Sequence, residues 1–198
     1  MAIYMMREWG REPISYSYSF KNKTKTNLTE DWWSGTMNGT IDSWGLHWDG
    51  WAIWKQLDFS GASLITLTEY VNITQKSDWA SWSCRICVWV TNWTSSQYWG
   101  WASTLEASGY RWTRCEKANG STSWNNVSLS TWEWILESVI DVTNASITTT
   151  YSRSWSVVST STTTLTSTDI ANLLSYTYAL VTTNWNGCYI QWIEVEAQ

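Results

Sequence analysis

Glutamates raise the first chemical question. Two carboxylates on one face are the minimum for cleaving a glycosidic bond, one as acid and one as base or nucleophile. Glu133 and Glu137 are four apart, and Glu194 and Glu196 two apart, so each pair shares a face if its segment is extended. The second pair sits at the C-terminal tip, a poor place for a cleft, and both pairs are read as solvated strand residues. His47, the single histidine, lies in a Gly-rich turn with no G-x-S-x-G elbow to supply a nucleophile. It is read as a turn residue. Phosphate-binding and dinucleotide-binding glycine fingerprints are absent from the sequence. The chain is expected not to be an enzyme.

The thiols point away from metal chemistry. Cys84 and Cys87 form a C-x-x-C inside SWSCRICVWVTNW, which alternates like a strand. Residues three apart on a strand point to opposite faces, which suits neither one metal nor a disulfide between the two. Cys115 and Cys188 lack the paired spacing of a zinc site. Buried free thiols, or one disulfide between cysteines distant in sequence, fit better.

Aromatics are the stronger signal. The chain has 20 Trp against 2 Phe and 1 Pro. Trp offers a flat apolar face and one polar N–H, so it can stack on a sugar ring or anchor an interface. Half or more of the 20 are expected in the core. The segments Trp32-Trp33, Trp44 to Trp54 and Gln97 to Trp101 do not follow a core pattern, and exposed aromatic patches mark interaction sites. Trp48, Trp51, Trp99 and Trp101 are the expected ligand-binding residues. A second surface signal is the Asn-x-Ser/Thr sequon, at Asn22, Asn27, Asn38, Asn72, Asn92, Asn119, Asn126 and Asn144. That is eight of twelve Asn, in a chain where Ser and Thr make up 54 of 198 residues. Glycosylation of a surface protein and simple turn composition both account for it.

These residues need a scaffold, and the composition names its class. Thr, Val, Ile, Tyr and Trp favour the pleated sheet, and no long stretch repeats apolar residues at helical spacing. Strand-like runs are LITLTEYVNIT (64–74), CRICVWV (84–90), WEWILESVIDV (132–142), ASITTTYSRSWSVVS (145–159), YTYALVTT (176–183) and CYIQWIEVEA (188–197). Turn signals fall between them at Ser34-Gly35, Asn38-Gly39, Asp49-Gly50, Ser60-Gly61, Ser108-Gly109, Asn119-Gly120 and Asn186-Gly187. The tract 156–169 reads as a solvated strand followed by a loop. One short helix is expected, at STDIANLLS (167–175). Residues 1–31 read as a polar arm whose ISYSYSF stretch could add an edge strand, and 32–198 as one sandwich domain.

Charge and hydropathy exclude other classes. Net charge is −5 with 12 basic residues and no basic stripe, so no nucleic-acid partner is expected. No apolar run approaches the ~18 residues of a membrane span. The first twenty residues contain no apolar signal-peptide core, so none is read there.

The order of features resembles the LamG-like, concanavalin A-like lectin/glucanase jelly-roll superfamily. The matching motifs are Asp42-Ser43-Trp44-Gly45, Asp49-Gly50, Leu57-Asp58-Phe59-Ser60-Gly61, Tyr70-Val71-Asn72-Ile73, Ile86 to Val90, Thr131-Trp132 and the closing Asn186-Gly187 with Tyr189 to Val195. Trp replaces the usual small or polar residues at Trp44, Trp48 and Trp51. The resemblance implies an all-β, antiparallel jelly-roll sandwich, here with an extended N-terminal arm. It implies lectins, glycosidases, adhesion modules or virion decorations as functions, and fold alone does not choose among them. The Glu-x-Asp-x-x-Glu triplet of the superfamily's glycosidases is missing. A rim calcium site is the metal the resemblance implies, with Asp42, Asp49 and Asp58 as candidates. The reading is a non-catalytic surface or virion structural module with adhesive or glycan-binding character. Its partners would be other subunits of that assembly and glycans, and the arm would dock onto a neighbour. The alternative is a calcium-dependent lectin.

Overall fold

The structure is a computed structural model that describes residues 12–47, 51–73, 84–91, 100–107, 111–116, 122–126, 132–183 and 188–198. In chain order the first elements are β1 (Ile14–Ser19), α1 (Lys25–Glu30), β2 (Ser34–Met37), β3 (Thr40–Asp42), β4 (Gly45–His47), β5 (Trp51–Gln56) and β6 (Leu64–Ile73). Then come β7 (Cys84–Thr91), β8 (Gly100–Ala107), β9 (Arg111–Glu116), β10 (Thr122–Asn126) and β11 (Trp132–Asp141). The last are β12 (Ser146–Arg153), β13 (Ser156–Thr164), α2 (Ser167–Leu173), β14 (Tyr178–Thr183) and β15 (Cys188–Ala197).

They form two antiparallel sheets. One has eight strands in the order β13-β12-β11-β6-β15-β4-β3, with β1 also on β15. The other has seven, β10-β9-β8-β7-β14-β5-β2. Period-2 alternation builds the core between them. Along β6, Ile65, Leu67, Val71 and Ile73 are buried, while Thr66 and Tyr70 alternate to the other face. Trp134, Leu136 and Ile140 of β11 and Ile190, Ile193 and Val195 of β15 line the same interior. Ile53 of β5 with Ala179 and Val181 of β14 close it from the seven-stranded sheet.

Several sequence expectations change here. The segment read as an arm is part of the sandwich from Ile14 onward. Its alternation pairs β1 with the open edge of β15, from Ile14 opposite Ala197 to Ser19 opposite Trp192. Phe20 and Leu28 are fully buried, and Tyr18 Oη donates to Asp31 at 2.6 Å. A second helix, α1, was not expected. Thr24 and Asn27 cap it reciprocally, each backbone N–H donating to the other's side-chain oxygen at 3.1 Å. Asn stands where a capping box usually has Glu or Gln, so the signal was hidden. The expected helix is found as α2, capped by Thr166 and Asp169.

Turn signals were only partly right. Ser34-Gly35 lies inside β2, and Asn38-Gly39 is no hairpin, because β2 and β3 belong to different sheets. The run 145–159 is two strands, β12 and β13, joined at Ser154-Trp155. Leu57 to Phe59 is irregular and leads into the turn signalled by Ser60-Gly61, with Asp58 Oδ1 accepting from Ser60 N at 2.9 Å. Asp42 and Gly45 close the β3–β4 hairpin, and Asp42 Oδ1 accepts from Trp44 N at 2.7 Å.

Gly45 matters for a specific reason. Its φ is +124°, and a Cβ there would run into the backbone carbonyl of Ile190. Gly61, at φ +75°, faces open space. Gly45→Ala is therefore expected to cost about 2–3 kcal/mol in urea unfolding, against about 1 kcal/mol for Gly61→Ala. Equal losses would contradict the close approach of β4 to β15.

Candidate functional site

The outer face of the eight-stranded sheet carries the candidate site. Strand register brings together residues far apart in sequence. Across β1, β15, β6, β11 and β12, one row runs Ser19, Trp192, Tyr70, Ile135, Ser152. The next runs Ser17, Glu194, Thr68, Glu137, Thr150. A third runs Ser15, Glu196, Thr66, Val139, Thr148. Thr68 thus separates Glu194 from Glu137, placing their Cα atoms roughly 10 Å apart at the usual strand spacing.

A two-lobed recess lies on this face. The acidic lobe, about 340 Å³, is lined by Thr66, Thr68, Glu137, Glu194 and Glu196. The aromatic lobe, about 500 Å³, is lined by Lys21, Glu133, Trp134, Gln191 and Trp192. Tyr70, Ile135 and Trp155 line both. Tyr70 and Trp192 stack at 3.9 Å between centroids and 25° between planes. Lys21 Nζ lies 5.6 Å over the Trp192 ring. Tyr70 Oη is 3.5 Å from Glu194 Oε2. Burial raises the Tyr70 phenol pKa, and the negative charges of Glu194 and Glu137 raise it further. The phenol therefore keeps its proton and remains a donor.

Trp155 stands over this face from the β12–β13 turn and is 89% exposed. Arg153 pairs with Ser156, which leaves a two-residue loop. Both loop residues are left-handed, Ser154 at φ 49° and Trp155 at φ 64°. Such a loop matches the strand twist but favours Asn-Gly, so Trp here is conformationally costly.

The opposite face holds a different carboxyl. Glu69 of β6 points into the core beside Leu136 and Ile193, is 0% exposed, and has no hydrogen-bond partner on either oxygen. Desolvation raises its pKa well above the ordinary 4.5.

The sequence candidates fare unevenly. Trp51 is no surface platform. It is 2% exposed, and its Nε1 donates to the carbonyls of His47 at 3.0 Å and Thr40 at 3.2 Å. Gly39 makes room for that indole, since a Cβ there would meet the ring. Trp48, Asp49, Trp99, Asn92 and Asn119 lie outside the described residues. Trp101 and Asn126 fall on β8 and β10, described by backbone alone. His47 is not a turn residue: it ends β4, is 6% exposed, and contacts Asp42 Oδ2 at 3.0 Å and Tyr189 at 4.4 Å between rings. Asp42 and Asp58 are turn caps. Asp49 lies outside the described residues, and among the described residues no three His, Cys, Asp or Glu gather closely enough to hold a metal ion. Of the sequons, Asn22, Asn38 and Asn144 are exposed, while Asn27 and Asn72 are half-buried. Asn144 Nδ2 donates to Asp141 Oδ2 at 2.7 Å. The glutamates dismissed as strand decoration are the ones that converge. Glu194 and Glu196 lie on a strand flanked by β6 and β1, not at a free tip. Tyr70, Trp155 and Trp192 were not singled out; same-face alternation in 188–197 was the available signal.

The arrangement has the concanavalin A-like jelly-roll fold of the legume lectins, as its solved structural neighbours show. Basic winged bean lectin with Tn-antigen superposes at a TM-score of 0.68 and 9% identity, over 94% of this chain and 99% of that one. Lectin I from Ulex europaeus, in complex with the methyl glycoside of alpha-L-fucose, gives 0.67 at 10% identity, over 95% and 99%. The metal-free exoplasmic/lumenal domain of VIP36 gives 0.59 at 10% identity, over 82% and 83%. No family model matches the chain, and no curated protein matches it in sequence.

Glu69 yields a pH prediction. Below 4.5 the carboxyl is protonated folded or unfolded. As pH rises past that value the unfolded chain releases a proton that the folded chain retains, so stability falls, by up to about 1.4 kcal/mol per pH unit. Glu69→Leu should therefore differ least from the parent in acid and gain on it steadily as pH rises, by thermal or urea unfolding. A constant offset across pH would show that Glu69 is solvated in the folded chain.

Proposed function

We propose that this chain is a non-catalytic carbohydrate-binding module of an exposed surface, and that the recess over Tyr70, Trp192 and Trp155 is its binding site. One observation carries the reading: a stacked aromatic pair and a projecting Trp border rows of Ser, Thr and Glu on a rigid sheet. Aromatic faces stack on the apolar faces of pyranose rings, and hydroxyl and carboxylate oxygens accept from sugar hydroxyls. Sites on sheet elements keep such a layout without a folding cost on binding. A shift of one residue in β6 or β11 would turn the layout into the core, so the packed interior fixes the register.

Hydrolysis is not supported. A general acid must stay protonated near neutrality, which requires burial or a close like charge. Glu137 and Glu194 are only half-buried, and Glu133 and Glu196 are exposed. The carboxyl with a strongly raised pKa, Glu69, faces the core and cannot reach a ligand in the recess. The similar lectins lend support to glycan binding through their complexes with sugars.

A glycan array tests the reading. The parent chain is expected to retain at least one class of saccharide, with and without a chelator, and to release no product. Trp155→Gly should abolish that retention while raising stability by about 1 kcal/mol, because glycine removes the left-handed strain. An array with no bound saccharide would overturn the proposal, and any released product would overturn its non-catalytic part.

A further inference from the structure

We propose that the recess selects saccharides bearing free amines, such as oligomers of glucosamine, over neutral or acidic ones. This rests on the glycan-binding reading above and names its ligand class.

Charge balance is the first ground. Glu133, Glu137, Glu194 and Glu196 all line the recess, and among the described residues Lys21 is the one cation lining it. Glu137 and Glu194 flank Thr68, with Glu196 one row further along. An acidic sugar would meet like charge, and a neutral one would use only part of this surface. Sugar residues repeat at about the spacing of adjacent strands, so amines two units apart could meet the carboxylates of β15 and β11, which β6 separates.

Carboxylates alone would not make a site, and two further observations point to a ligand. First, the chain already places an ammonium on its own aromatic platform, Lys21 Nζ over Trp192 at 5.6 Å. Cation–π attraction at such a face suits an amino sugar, whose ring stacks while its ammonium sits beside the indole. Lys21 is held there by a flexible stem, so it can leave when a competing ammonium arrives. Second, Gln191 is a buried side chain at the recess whose amide nitrogen is left without a partner. It is the extra residue of a bulge, since Ile190 pairs with Val71 and Trp192 already with Tyr70. It lines the aromatic lobe, is 3% exposed, and its Nε2 has no hydrogen bond. A buried unmet donor costs free energy that an acceptor oxygen of a bound sugar would offset.

A basic peptide would present the same charge without the ring face and hydroxyls. Titration calorimetry should use a glucosamine hexamer, its fully N-acetylated counterpart and hexalysine, at low and high salt. The glucosamine hexamer is expected to bind roughly tenfold or more tightly than the acetylated one, and to weaken with salt. Glu137→Gln with Glu194→Gln should remove most of that preference, weakening the glucosamine oligomer far more than the acetylated one. Lys21→Met should tighten the glucosamine oligomer, a result that a purely structural lysine would not give. Equal affinity for the two sugars would leave glycan binding standing and overturn the charge inference. Hexalysine binding as tightly as glucosamine would overturn the choice of a sugar. Binding of neither sugar would overturn both readings of the recess.

Discussion

The C-terminal strand β15 is the constraint on which the eight-stranded sheet depends. One edge is filled by β6 from Ile73 to Ile65. The other edge is shared, β4 taking Ile190 and β1 taking Trp192 to Ala197. Three separate parts of the chain are thus ordered by one strand made late. Among the described strands β1 pairs with β15 alone, and buried backbone groups must find a partner. The bulge at Gln191 lets both arrangements coexist: it shifts register by one residue, so Ile190 and Ile193 both face the core although their spacing is odd. Phe20 N donates to the Gln191 carbonyl at 2.8 Å, which ties the end of β1 to the same bulge.

Function on the outer face follows from stability on the inner one. Because the side-chain period is two, burying Leu67, Val71, Leu136, Ile193 and Val195 obliges Thr68, Tyr70, Glu137, Trp192 and Glu194 to face outward. The sandwich also tolerates polarity inside. Ser138 and Thr149 are buried and satisfy each other at 2.9 Å. Glu69 has no such partner and remains neutral only through burial. The hydroxyl-rich composition therefore serves both faces: paired hydroxyls fit within the core, and solvated ones border the recess.

The tryptophans divide along the same line. Among the described residues, Trp33, Trp51 and Trp134 fill the interior, while Trp32, Trp44 and Trp155 are exposed. Nothing local distinguishes the two groups. Trp32 and Trp33 are neighbours, yet one is 82% exposed and the other 2%. The left-handed Trp32, φ 65°, turns the chain after α1 so that Trp33 enters the core beside Phe20 and Tyr18. Trp51 was misjudged for the same reason: its indole N–H finds two backbone carbonyls inside the fold, and sequence spacing does not report partners.

By itself the sequence determined the class of fold and most of its strands. Alternating apolar residues in 64–73, 132–141 and 188–197 specify half-buried strands whatever their neighbours, because the pleat repeats every two residues. The helix expected at 167–175 was legible in the same local way, and in the fold Thr166 and Asp169 cap it. The order of turn motifs in residues 40–197 located the jelly roll. Strand pairing was beyond it. The glutamates of β11 and β15 lie about sixty residues apart in sequence, and only the interposition of β6 makes them face one recess. Likewise, the alternation of 14–19 offered an edge strand, but only the open edge of β15 gave it a partner. Local chemistry chooses a conformation for each segment, but which segments meet is decided by the one arrangement that buries every apolar face and occupies every strand edge at once.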